Sequence, residues 1–543
     1  MQYRATTMGV NGMVTTPHYL ASQAALKVLH NGGNAVEATI AAASVLAVVY
    51  PHMNSIGGDN FWLIYNAKTK EVKALNSSGR AGEKATIDFY KQQGFDKIPA
   101  RGALSANTVP GAVAGWGEVH LYAEKEMGNG LTWQELLEPA IGYARDGYPV
   151  TESQHYWTTV NLEEDAEFRG LHRFDEFARI FLHNGKVPKV GSIFKQPDLA
   201  DTLVYIAENG AKSFYEGEIA EKIVKDLERL GGILTIDDFK AHKSDWVEPL
   251  SVDYRGYKAY NLPPNTQGFA SLSILNILNH LNLQEIEEGS PEYYHILVEA
   301  VKLAFMDRDQ YLTDPEFVEI PLDDLLSPEH GKELANQLKQ NLQARKLQPL
   351  DAKGDTVWFG VVDREGNAVS CIQSIYHEFG SAIIPRGTGV VLQNRGSFFS
   401  LDENHVNCLA PRKRTLHTLN PAMLLKNGRP VLVYGTMGGE GQPQTQAMLV
   451  TRIIDYGMNV QEAIEAPRFL YGRTWGASSN TLKLEGRIPP TVQSKLREWG
   501  HEIEVLPDFT DTMGHAGAIW IDQETNVKFG GADPRGDGAA IGY

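Results

Sequence analysis

The spacing of apolar and polar residues divides the chain into helices at the start, a long helical middle and a strand-rich last third. Residues 21–30 and 35–50 repeat apolar side chains at helical spacing, parted by the breaker Asn31-Gly32-Gly33-Asn34. Ile56-Gly57-Gly58-Asp59 then turns into an aromatic run at 61–65. Residues 71–75 follow a Lys-rich turn, which predicts a hairpin. From 116 to 299 the pattern predicts mostly helix, with 131–146, 219–230 and 270–281 the clearest segments. Residues 333–353 are charged and Gln-rich and read as an exposed linker. After it, 356–362 and 368–375 predict strands joined by the turn Asp363-Arg364-Glu365-Gly366-Asn367. Further strands are expected at 389–392 and 430–434, and helices at 448–456 and 461–466. Together these predict sheets covered by helices, a layered α/β or α+β architecture.

Composition narrows the classes of function. Of 543 residues, 42% are hydrophobic and 22% charged, the balance of an ordinary globular protein. The formal net charge is -17, from 50 Lys+Arg and 67 Asp+Glu. Nucleic acid and anionic membranes call for a basic footprint, so neither is an expected partner. Cys371 and Cys408 are the only cysteines, too few for a disulfide framework or a Cys-rich metal site. The first residues carry no apolar signal core. The longest apolar stretch, 35–49, is too short to span a bilayer. A cytoplasmic location is the expectation.

The chemistry centres on Thr356, which opens an apolar run just after the linker-like stretch. Cutting the Asp355–Thr356 bond would give Thr356 a free α-amine beside its own hydroxyl. That amine titrates at about pH 7.7–8.0, so one residue would hold both nucleophile and base. Ser374, on the adjoining strand, is placed to orient it; a cross-strand pairing residue is the plainer reading. Gly438 and Gly439 lie in a Gly-rich turn from strand to helix, where backbone N–H groups can receive an oxyanion. A phosphate loop is the rival reading, but no Lys follows the glycines. His377-Glu378 lacks the second His of a zinc helix, so no metal is expected. Arg80 offers a fork for a substrate carboxylate or, more plainly, a surface charge.

These pieces, in this order, resemble the γ-glutamyltransferase family of N-terminal-nucleophile hydrolases. Gly32–Ala38, Ser55–Asp59, Val109–Gly115, Gly231–Thr235, Tyr254–Tyr257 and Leu262–Pro264 are similar to motifs of the family's large subunit. Thr356–Val369, Met437–Gly439, Glu465–Phe469 and Asp533–Arg535 are similar to motifs of its small subunit. The resemblance implies an α+β fold, a four-layer αββα sandwich. It implies a precursor that cuts itself into 1–355 and 356–543, two chains that stay associated. Thr356 would attack an amide of a small molecule to form an acyl-enzyme, Ser374 would support it, and Gly438 and Gly439 would form the oxyanion hole. No metal or organic cofactor is implied.

The departures from the family pattern bear on the substrate. Phe398 stands where the family has an acid for the α-ammonium of a glutamyl group, and Arg395 replaces a polar side chain. Tyr376 replaces an asparagine, and His417 and Thr418 match a serine pair. The usual lid segment is absent between Ser400 and Ala410. An ammonium desolvated beside Phe398 and Arg395 would cost several kcal/mol. The expected acyl group therefore ends in a carboxylate and lacks the α-amine, as in glutaryl amides of cephalosporin acylases or in oxamate. Glutathione hydrolysis or γ-glutamyl transfer is the family's default alternative. An unprocessed, inactive homologue acting as a binding protein is the alternative of another class.

Overall fold

The strand that carries Thr356 sets the plan of the molecule. The computed structural model describes residues 4–128, 130–163, 167–340, 343–345, 355–472 and 480–543. In it Asp355–Val362 pairs antiparallel with Ala368–Tyr376, and Asp363 N–H closes the turn on the Asn367 carbonyl. This hairpin is the centre of a seven-stranded sheet. Its order is Ala539–Gly542, Met13–Thr16, Asp355–Val362, Ala368–Tyr376, Asp59–Asn66, Glu71–Ser77, Asp245–Val247. A second seven-stranded sheet runs Thr7–Gly9, Lys528–Ala532, Ala516–Ile521, Arg429–Thr436, Ala422–Lys426, Tyr257–Asn261, Leu250–Tyr254. Both sheets draw strands from before and after the 355–356 bond.

Side-chain alternation along the strands produces the layers. Val357, Phe359 and Val361 join the core built on Tyr19–His30, Ala35–Val49 and Trp133–Asp146. Trp358 and Val362, on the opposite face, pack with Met423, Val433 and Ile519 of the second sheet. The outer face of that sheet, through Leu424, Leu432 and Ala518, meets Gly268–Asn279, Pro291–Tyr311 and Gly441–Val450. The result is helix on sheet on sheet on helix, the αββα sandwich expected. Ala35–Val49 is apolar nearly all round and accordingly buried along its whole length. Asn34 and Glu37 start it with a reciprocal capping box.

Trp358 fastens the two sheets together. A Cβ on Gly435 would lie 2.2 Å from its ring, and one on Gly517 2.4 Å from it. The opposing strands are glycine at these points because the indole occupies the space.

The structure corrects several local expectations. Residues 245–261 are not helical but form three short strands, Asp245–Val247, Leu250–Tyr254 and Tyr257–Asn261. Arg255 and Gly256, both at positive φ, make the tight turn between the last two. Residues 389–392 form no strand; Leu392 makes only an isolated bridge to Gly57. The linker-like stretch begins inside the helix Pro328–Gln340, where Leu334, Ala335 and Leu338 line one buried face. Its continuation at 346–353 lies outside the described residues. No helix among the described residues is long and apolar enough to cross a membrane.

Candidate active site

Cross-sheet register brings the predicted residues together. Gly360 faces Val433, where an added Cβ would come within 3.2 Å, and Trp358 faces Gly435. The strand that carries Thr356 thus packs against the strand that leads into Met437 and Gly438. Thr356 also sits at a register shift, between the pairs Asp355–Tyr376 and Val357–Gln373. Ser374 therefore stands beside it on the neighbouring strand, where Ser374 Oγ accepts the Tyr376 N–H at 2.8 Å. Thr356 is fully buried, and its Oγ1 has no hydrogen-bond partner among the described residues. Interiors rarely leave a hydroxyl unpaired, so this one is available to a ligand or to a base not yet formed.

Gly438 and Gly439 follow Arg429–Thr436 with φ 117° and 53°, backbone that favours glycine. The Gly438 carbonyl accepts from Gly441 N–H at 2.7 Å. The Gly439 carbonyl accepts from Gln267 Nε2 at 2.9 Å. With the carbonyls so engaged, the N–H groups of the turn point the opposite way.

A second group of side chains surrounds Arg395. Its guanidinium lies 4.3 Å from the centre of the Tyr376 ring and 5.4 Å from that of Phe398. Those two rings stack at 4.4 Å. Arg395 Nη1 donates to Thr418 Oγ1 at 3.3 Å, while Nε and Nη2 are buried without a partner. Burial lowers this guanidinium to about 10, with Tyr376 and Asp59 acting in the opposite sense. A buried arginine with two idle N–H groups on an aromatic shelf is prepared for a planar anion. Tyr376, the ring beneath the guanidinium, pairs through its backbone with Asp355.

Other residues depart from their expected roles. Arg80 is not an open fork: Asp245 and Glu316 take its guanidinium at 3.1 and 2.7 Å. His417 meets Asp59 through Nε2 at 3.0 Å, while its neighbour Thr418 takes the hydrogen bond from Arg395. Asp59, absent from the sequence reading as a site residue, is the hub. Its carboxylate accepts from Gly79 N–H, Gly111 N–H and Gln393 Nε2, each at 3.0 Å, besides His417. Burial still raises Asp59 to about 6, against those bonds and Arg395. Burial first, then Arg395 and Arg414, hold His417 well below the usual histidine range. Gln267 and Gln442 also went unnoticed. Gln442 is fully buried in the first turn after the glycines, with neither end of its amide partnered. Both stand close to motifs, Leu262–Pro264 and Met437–Gly439, but an isolated glutamine carries no chemical signal of its own. Asp59 had one, in Gly57-Gly58-Asp59.

Away from this site, ligand atoms of His295, Glu299 and His501 lie within 4.8 Å of one another, the spacing of a metal site. Glu299, however, already holds Lys302 at 2.8 Å and Arg345 at 3.0 Å. Two cations occupy the place a metal would take, so the group is an ion-pair cluster.

The chain is similar to known proteins along nearly its whole length. The sequence model of the family described as Gamma-glutamyltranspeptidase matches residues 21–543. A glutathione hydrolase-like YwrD proenzyme of Bacillus subtilis is 50% identical over 537 residues, covering 99% of each chain. An oxamate amidohydrolase proenzyme of Klebsiella pneumoniae is 46% identical over 539 residues, 99% of this chain and 100% of its own. The crystal structure of cephalosporin acylase from Bacillus halodurans superposes with a TM-score of 0.91 at 36% identity, over 100% of this chain and 98% of that one.

Proposed function

This chain belongs to the γ-glutamyltranspeptidase family and is an enzyme of the N-terminal-nucleophile hydrolase type. From that premise we propose that it cuts itself between Asp355 and Thr356 and then hydrolyses amides whose acyl group ends in a carboxylate close to the scissile carbonyl. The observation that carries the substrate class is Arg395, buried on Tyr376 with Nε and Nη2 unpartnered.

The steps follow from the geometry. The freed Thr356 α-amine takes the proton of Oγ1, and Oγ1 attacks the amide carbonyl. Negative charge gathers on the carbonyl oxygen, and the N–H groups of Gly438 and Gly439 receive it. The tetrahedral intermediate collapses, the leaving amine departs with the proton, and an ester on Thr356 remains. Water, activated by the same amine, releases the acid. Ser374 orients the amine, and Arg395 with Thr418 holds the carboxylate. A γ-glutamyl group would bring its ammonium to the same place. Asp59, the carboxylate near Arg395, is already engaged by Gly79, Gly111 and Gln393 on Oδ1 and by His417 on Oδ2, and it faces Arg395. The relative named for oxamate takes the shortest such acyl group, which suits an arginine stacked on Tyr376, the residue that pairs with Asp355.

Intact-mass measurement of the wild type and Thr356→Ala, with parallel assays on oxamate, glutaryl and γ-glutamyl amides, tests this reading. Two chains, 1–355 and 356–543, with cleavage and turnover both lost in the variant, are expected. So is a preference for the two amides without the α-amine. Equal rates on γ-glutamyl amides would sink the assignment of the acyl group.

A further inference from the structure

We propose that Gln267, locked by Arg308, is a positioning residue that aims the oxyanion turn. This rests on the reading of Gly438 and Gly439 as the oxyanion donors. Two successive glycines at positive φ have no side chains to fix them, and a turn of this kind keeps its shape only if its carbonyls are held. A peptide unit is planar, so anchoring its C=O aims the N–H on its opposite side. The Met437 carbonyl is held by Thr436 Oγ1 at 2.8 Å, which aims Gly438 N–H. The Gly438 carbonyl is held by Gly441 N–H, which aims Gly439 N–H.

The next peptide unit, Gly439–Glu440, fixes ψ of the glycine that carries the second donor. Its carbonyl, that of Gly439, accepts from Gln442 N–H at 3.3 Å and has its shorter anchor outside the turn. Gln267 Nε2 donates to it at 2.9 Å and spends its other hydrogen on the Thr418 carbonyl at 2.8 Å. Arg308 Nη1 donates to Gln267 Oε1 at 3.0 Å. An arginine only donates, so the amide cannot flip: its NH₂ must face the two carbonyls. Arg308 in turn reaches Glu440, the residue after the glycines, at 3.2 Å, and Asp309 at 2.9 Å. Gln267, Arg308 and Glu440 are all buried. Thr418 also accepts from Arg395, so one amide ties the anion subsite to the oxyanion turn. Gln267 and Arg308 precede Thr356 in sequence while the turn follows it. The chain before the cleavage point therefore shapes the catalytic turn of the chain after it.

The test compares wild type, Gln267→Ala and Arg308→Lys by kcat and KM. Two substrates are used: the amide that wild type cleaves fastest, and p-nitrophenyl acetate, an activated ester that needs the oxyanion hole but no carboxylate subsite. The expected result for Gln267→Ala is a fall in kcat on the order of 10²-fold on both substrates, with KM for the ester nearly unchanged. Arg308→Lys falls less, in the same direction. If Gln267→Ala is insoluble, Gln267→Glu decides, since it keeps the Arg308 contact but has no donor for either carbonyl. Folded variants with kcat for the ester within about twofold of wild type, well inside the cost of one oxyanion donor, would overturn the proposal. A wild type that opens the ester but none of the carboxylate-ended amides would refute the acyl-group assignment alone.

Discussion

Arg395 is costly to the fold and useful to the site. Its guanidinium is buried with Nε and Nη2 unpartnered, so Thr418, the two rings and the Asp59 charge offset only part of its desolvation penalty. A bound carboxylate would relieve it through charge-assisted hydrogen bonds. Arg395→Met keeps an apolar body on Tyr376 and removes the charge. It is expected to lose about 3 kcal/mol in kcat/KM for carboxylate-ended amides, on the order of 10²-fold. The same change is expected to raise the melting temperature, because a buried unpaired charge is gone. A variant that loses activity and stability together would mean that Arg395 is a structural residue. Arg80 is the contrasting case. Arg80→Ala breaks partly exposed ion pairs with Asp245 and Glu316. It is expected to change stability by about 1 kcal/mol or less and to leave the KM for the acyl group unchanged. Titration calorimetry with the free acid would check both.

At the scale of elements, the hairpin Asp355–Val362 and Ala368–Tyr376 is positioned by one side chain. Trp358 fills the gap left by Gly435 and Gly517, and its Nε1 donates to Ser370 Oγ at 2.9 Å. The strand that carries Thr356 is thus set against the strand that leads into Gly438 by an indole two residues away. Gly435→Ala would drive a methyl into that ring. The expected cost is about 1–3 kcal/mol, seen as a lower denaturant midpoint with unchanged slope. Because the strand shifts, turnover should fall as well. Trp358→Phe in the same chain frees space, so the double variant should regain part of the stability. Strict additivity of the two changes would show that the ring and Gly435 do not touch in solution.

Across the whole molecule, buried histidines set the acid limit. Burial lowers His18, His242 and His501 to about 3 and His515 to about 4, and holds His52 and His417 well below the usual range. Each is neutral in the fold, while the unfolded chain binds a proton below about pH 6.5. Acid therefore favours the unfolded state from about pH 6.5 downward. Asp59, Asp363, Asp511 and Asp537 oppose this. Burial raises each to about 6, so the fold takes up their protons first and is favoured as pH falls from about 6 toward 3.8. Burial raises Asp309 and Asp314 in the same sense and lowers His405 with the other histidines, and the histidines, three of them carried to about 3, outweigh the aspartates. The melting temperature should hold from pH 8 to about 6.5 and then fall toward pH 4. A rise over that lower range would show that the aspartates dominate. After cleavage the two chains should still elute together from a sizing column, because both sheets interleave strands from either side of the bond.

Local periodicity was enough to place Ala35–Val49, the hairpin that begins at Thr356 and the Gly-rich turn, because each is written in neighbouring residues. The departures at Tyr376, Arg395 and Phe398 were also legible, and in the folded chain these three stack on one another. Only the tertiary structure decided who meets whom at long range. His417 reaches Asp59 across 358 positions, Gln267 reaches Gly439 across 172, and Arg80 loses its fork to Glu316 across 236. The short strands between 245 and 261 likewise exist only because each sheet has an edge for them to join. A sequence pattern records which face of an element is apolar. Which buried donor finds which acceptor depends on how the layers close, and that is a property of the whole packed chain.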